Sequence, residues 1–190
     1  MANDAGTAQR ILDIAERLVQ TRGFNGFSYA DIAGPLRITK ASLHYHFPAK
    51  AVLGTRLIER YERNFLAALA SIDRTGSDAR QKLRRYAAIY GDVLRADRMC
   101  LCGMLAAEFS TLPKAMQKNM RHFFDENERW LGVVLDRGRK AKELAFSGPA
   151  REVARALVGS LEGAMMIARS YGEPARFQVV ADRLLAELSP

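Results

Sequence analysis

Strand-like alternation never persists along this chain, whereas apolar residues recur at three- and four-residue spacing almost from end to end. That periodicity confines the fold to packed helices. Ile11, Ala15 and Leu18 make a first stripe, which Gly23 in "TRGF" should terminate. A second helix should start at Ser28, with Asp31 completing a capping-box pair, and Gly34-Pro35 should end it early, the chain leaving helical geometry by Leu36 to Ile38. Thr39 suits the cap of a third helix of about two turns, closed by Pro48. Leu53, Leu57, Tyr61 and Phe65 then line a longer helix from Lys50 to residue 72. After the linker "DRTGSD", helices are expected near 78–96, 100–111, 114–140, 149–171 and 174–188. The expected fold is all-α: a three-helix N-terminal domain over 1–49 and a larger helical domain over 50–190, with 50–72 as connecting helix.

Charge narrows the partners. The chain of 190 residues carries a formal charge of +8, which favours a polyanion. Residues 1–63 hold nine Lys/Arg against six Asp/Glu and the rest stays basic too, so charge alone does not localise the contact. The sequence shows no leader-like start and no apolar run long enough to span a bilayer, and its two cysteines make no disulfide framework. A soluble cytoplasmic protein without membrane partners is expected.

The segment "TKASLHYHFPAK", residues 39–50, has an unusual balance. Leu43 and Phe47, four apart, share one face of a short helix, while Lys40, Ser42, His44 and Tyr45 spread over the other. Donors and flat rings with little to bury suit phosphate oxygens and base edges in a major groove. Three short helices, the last two joined tightly, are also the outline of a helix-turn-helix.

The residue order goes further. "GFNGFSYADIAGPLRITKASLHYHFPAKAVL" resembles the DNA-binding region of the TetR family of bacterial transcriptional regulators, with matches at Gly23, Phe24, Ser28, Ile32, Ala33, Thr39, Leu43, His44, His46, Phe47 and Lys50. The resemblance implies phosphate contacts at Ser28, Thr39, His44 and Lys50, and a base-facing surface of Lys40, Ala41, Ser42 and Tyr45. It also implies that the larger domain binds a ligand and dimerises. Two positions depart from the pattern: Arg37 stands where a glycine is usual in the turn, and Ala49 where a capping residue is common.

Other chemistry is poorly supported. Helical residues two apart point about 200° away from each other, so His44 and His46 cannot share a metal ion on a helix. There is no nucleophile elbow and no phosphate-binding glycine loop, so neither an enzyme nor a cofactor is expected. Cys100 and Cys102 in "CLCGMLAAEF" are either small apolar fillers or a redox or electrophile sensor near Arg95 and Arg98. Tyr90, Met104, Phe109, Phe123, Trp130, Met165 and Met166 are candidate walls for an unknown small apolar or aromatic ligand, with Glu162 facing a cationic group or solvent. Residues 156–168 are apolar nearly all round and must be buried on more than one side, and Gly159 and Gly163 permit close helix approach. By the resemblance, 151–188 would form a homodimer interface. The resulting expectation is a regulator, a repressor released from a palindromic DNA operator by an inducer, with thiol sensing on the same scaffold as the alternative.

Overall fold

Helix caps set the frame. In the computed structural model, which describes the backbone of residues 2–190 and the side chains of 6–190, nine α-helices follow one another among the described residues. They are α1 (Ala2–Arg22), α2 (Tyr29–Leu36), α3 (Lys40–His46), α4 (Lys50–Arg74), α5 (Ala79–Arg95), α6 (Leu101–Ala107), α7 (Lys114–Lys140), α8 (Ala150–Tyr171) and α9 (Pro174–Ala186), with a 3-10 turn at Phe109–Thr111. Thr39 accepts the Ser42 N–H at 3.1 Å and Asp78 the Gln81 N–H at 2.7 Å, each fixing where a helix begins.

The chain leaves α2 after Leu36, within the expected stretch Leu36 to Ile38. Gly34 and Pro35 lie inside the helix, which runs on to Leu36. Pro35 is solvent-exposed, so the bond it cannot give is lost on a wet flank. The close comes one residue later, where Arg37 turns left-handed at φ 54. The Arg37 N–H then reaches Gly34 O at 3.0 Å and the Ile38 N–H reaches Ala33 O at 3.2 Å, the two bonds of a Schellman closure. An arginine in this conformation costs about 1 kcal/mol that glycine would not.

Two compact units divide the chain: residues up to Arg63 with Leu101–Arg121, and Asn64–Cys100 with His122–Pro190. The division falls within α4 and α7 and at the start of α6. In the first unit α2 packs on α1 and α3, and α6 packs on α1. Its core holds Ile11, Ala15, Val19, Ile32, Leu43 and Leu53, so Val19 continues the first stripe where Leu18 is half-buried. In the second unit α8 and α9 pair and α5 lies against both.

Candidate nucleic-acid interface and ligand site

The third helix is held from one side only. Leu43 is fully buried and the capping residue Phe47 nearly so. On the other side Lys40, Ala41, His44 and Tyr45 are exposed and Ser42 is half-buried. Tyr45, 75 % exposed, meets the His46 ring edge-on at 5.3 Å and otherwise stands out from the surface. His44 Nδ1 lies 3.2 Å from Pro48 O, and its ring sits 4.8 Å from Tyr29. Tyr29 in turn donates its hydroxyl to Phe47 O at 2.7 Å, and burial pushes its phenol up to about 12. At the start of α2, the Ser28 N–H and hydroxyl both donate to Asp31 at 2.7 Å. Those bonds, aided by Arg22, hold the Asp31 carboxyl below its ordinary value.

Lys50 is half-buried. Its ammonium donates to Phe24 O at 2.6 Å and to Phe27 O, and lies 4.8 and 4.1 Å from the centres of those two rings. Desolvation lowers its pKa, opposed by the Glu108 and Asp31 charges. A half-buried ammonium bonded to two carbonyls ties down the loop after α1. Glu108 works on the same loop: its carboxylate accepts the Phe24 N–H at 2.6 Å and the Asn25 N–H at 3.1 Å. Asn25 also donates to Thr111 Oγ1 at 2.8 Å. A Cβ at Gly23, where φ is +81, would stand 2.8 Å from Glu108 Oε1, so this turn needs glycine. Glu108 escapes a sequence reading, its only signal being one acid in the apolar "MLAAEF".

The second unit gathers aromatic rings. Phe65 meets Tyr86, Tyr90 and Phe123 edge-on with centroids 6.1, 6.0 and 5.1 Å away, and Tyr86 stacks on Trp130 at 5.7 Å. The Tyr86 hydroxyl donates to Asn127 Oδ1 at 3.0 Å and lies 3.0 Å from the Tyr90 hydroxyl, while Asn127 Nδ2 donates to Phe123 O at 2.8 Å. Burial drives both phenol pKa values up. Trp130 Nε1 donates to Asp73 at 2.9 Å. Tyr90, Phe123 and Trp130 thus share a cluster with Tyr86 and Asn127, and Asn127 carried no sequence signal.

Glu162 joins that cluster rather than solvent. Both its oxygens are buried without a hydrogen-bond partner. Desolvation raises its pKa from 4.5 to about 7, with the Cys100 thiol pulling the other way, and its charge acts on both Tyr86 and Tyr90. The other wall candidates separate. Met165 is fully buried, whereas Met166, a step of about 100° around the helix, is 54 % exposed on the outside of α8. Met104 and Phe109 are half-buried in the first unit, Phe109 under the Arg121 guanidinium at 4.8 Å. Cys100 and Cys102 are both buried and are not joined in a disulfide.

The outer side of α8 and α9 is apolar. Met166, Ile167, Tyr171, Val179 and Val180 are exposed, and a groove of about 450 Å³ runs between Ser160, Gly163, Ala164, Ile167, Arg176, Val179 and Val180. Residues 156–168 are therefore not enclosed all round within the chain: Leu157, Leu161 and Met165 face inward, and Met166 and Ile167 outward. A Cβ built at Gly159 or Gly163 meets nothing within 4 Å.

Among the described residues no group of three or more His, Cys, Asp or Glu is placed to hold a metal ion, and no helix is long and apolar enough to cross a membrane. A short recognition-type helix, buried on one side and polar on the other, defines a helix-turn-helix protein with a helical companion domain. The family model described as bacterial regulatory proteins, tetR family, matches residues 11–55, and that of the tetracyclin repressor-like C-terminal domain matches 79–184. No curated protein matches the chain. Among solved structures, a TetR-family transcriptional regulator from Agrobacterium tumefaciens is 32 % identical with a TM-score of 0.96, covering 99 % of this chain and 100 % of that one. A TetR regulator from Legionella pneumophila is 32 % identical at TM-score 0.87, covering 95 % and 96 %. The reduced form of E. coli NemR shares the fold at 23 % identity and TM-score 0.83, covering 96 % and 97 %. This chain belongs to the TetR family of bacterial transcriptional regulators.

Proposed function

We propose that the protein is a homodimeric repressor that reads a palindromic operator through α3 and leaves it when a small molecule enters the interior of its second unit. The observation that carries the DNA reading is the outer surface of α3, where Lys40, Ala41, Ser42 and Tyr45 face away from the Leu43 and Phe47 anchors. These side chains suit base edges, and Thr39 and His44 flank them as phosphate contacts, which Ser28 joins on turning its hydroxyl from Asp31 to the phosphate. Lys50 acts behind them as the tie that sets the loop. Such a role belongs to the compartment that holds the chromosome, the cytoplasm.

A dimer is favoured by the exposed apolar groove of α8 and α9. Gly159 and Gly163 serve no close contact within the chain, so their small size suits the approach of a second copy. Twofold symmetry matches two half-sites. The ligand reading rests on the ring cluster around Tyr86, Tyr90, Phe123 and Trp130, with inducer binding weakening operator affinity through differential binding to two conformations. Thiol sensing is the weaker reading, because Cys100 and Cys102 are sealed from solvent oxidants.

Selection of bound DNA from a random library tests the proposal. Wild type should enrich a palindrome, and Tyr45→Ala should shift the enriched bases within each half-site. Absence of any enriched sequence, or identical motifs for both proteins, overturns the recognition assignment.

A further inference from the structure

A carboxylate sealed inside a helical bundle without a donor is costly in its charged form, since desolvation is not offset. Glu162 comes close to such a group, its two oxygens buried with nothing stronger than the Cys100 thiol acting on them. The nearby phenols do not relieve it. The Tyr86 proton goes to Asn127, which leaves Tyr90 to donate its own proton to the Tyr86 oxygen. The carboxylate's charge acts on both phenols, and the donor that acts on it is the Cys100 thiol, a weak one. An organic cation answers all of these features at once, because it neutralises the carboxylate and its charge is attracted to ring faces. A neutral hydroxyl would satisfy one lone pair and leave the charge, and an anion would be repelled.

We propose that Glu162 is the recognition residue for a cationic inducer, an ammonium or related nitrogen cation on an aromatic body, with Tyr86 and Tyr90 as the flanking rings. The assignment rests on the reading of the second unit's interior as the ligand-sensing site. It narrows the ligand from any apolar molecule to one carrying positive charge. Binding requires α5 and α8, which pack together, to part around the cation, so the ligand selects an opened form of the unit.

Four probes of similar size separate charge from shape: phenethylammonium, benzyltrimethylammonium, 2-phenylethanol and 3-phenylpropanoate. Calorimetric titration near pH 8 would use the full-length protein, wild type and Glu162→Gln. Both cations should bind wild type about tenfold more tightly than the alcohol, and the anion should not bind. Glu162→Gln should weaken the cations about tenfold or more while leaving the alcohol within about threefold. Glu162→Asp, which keeps the charge, should retain the order of preference, and it carries the test if circular dichroism shows the glutamine variant misfolded. The proposal is overturned if the alcohol matches the cations on wild type, if the glutamine variant binds the cations unchanged, or if neither cation binds wild type at millimolar concentration. Operator binding by the same preparation separates the two levels. A protein that binds its operator but no cation loses only the ligand class, whereas one that selects no DNA loses the regulatory reading itself.

Discussion

Replacing Glu162 by glutamine should change how stability depends on pH. The folded-state pKa of about 7 lies above the ordinary 4.5, so between these values the unfolded chain has released a proton that the folded chain still holds. Stability is then greatest below the unfolded pKa and falls as pH rises through the folded one. With 1.36 kcal/mol per pKa unit, the loss amounts to about 3 kcal/mol once the group is ionised in both states. Tyr86 and Tyr90, on which the carboxylate's charge acts, stay neutral throughout because burial raises their own pKa values. Glutamine does not titrate, and whatever its buried amide costs is constant with pH. The stability of Glu162→Gln minus that of wild type should therefore grow by about 3 kcal/mol from mildly acidic to mildly alkaline pH. Urea unfolding followed by circular dichroism, at one fixed protein concentration for every pH, measures that difference. Two curves that stay parallel within about 0.5 kcal/mol would show that the carboxylate is solvated or paired, and would refute the reasoning.

Lys50→Met should lower stability by about 1–2 kcal/mol through its two lost carbonyl bonds and leave the salt slope of operator binding unchanged, whereas Lys40→Ala should reduce that slope by about one counterion; equal slope changes would restore Lys50 as a phosphate contact. Ile167→Asp with Val179→Asp should give a helical monomer in sedimentation at micromolar concentration, while Met165→Asp should instead damage the fold, and an intact dimer in the double variant would rule out the α8 and α9 face. Wild type and a Cys100→Ser, Cys102→Ser protein should both hold operator DNA under mild peroxide; release of wild type alone, reversed by dithiothreitol, would overturn the preference for a ligand over a thiol signal.

Helix number and placement were legible because capping hydroxyls, glycines and prolines punctuate a nearly continuous apolar period. Thr39 and Asp78 cap as their residue types suggest, and "DRTGSD" separates α4 from α5. Gly34-Pro35 marked where α2 ends, but the left-handed Arg37 that closes it was not legible, since arginine carries no preference for that conformation. The inward side of α3 was readable from Leu43 and Phe47 at a spacing of four. Lys50 was not, since a lysine's flexible stem lets the same residue reach out to phosphate or back to Phe24 O and Phe27 O. For Met165 and Met166, adjacent in sequence, only the rotation of α8 decides which one faces the core. Glu162 was visible as one acid in the apolar run 156–168, but whether it turned inward or to solvent depended on packing that the local sequence does not carry.

The Glu108 clasp on Phe24 and Asn25 bears on how far this regulator is modular. Grafting its N-terminal stretch onto another effector domain, with a cut anywhere in the fourth helix, would sever the reading head from the carboxylate that fixes its first corner. The portable cassette is a discontinuous one, which must bring residues 101–121 along with the opening sixty or so. By the same token, a substitution at Glu108, just past the sixth helix, would loosen the corner at Phe24 and Asn25 without altering any side chain of the third helix.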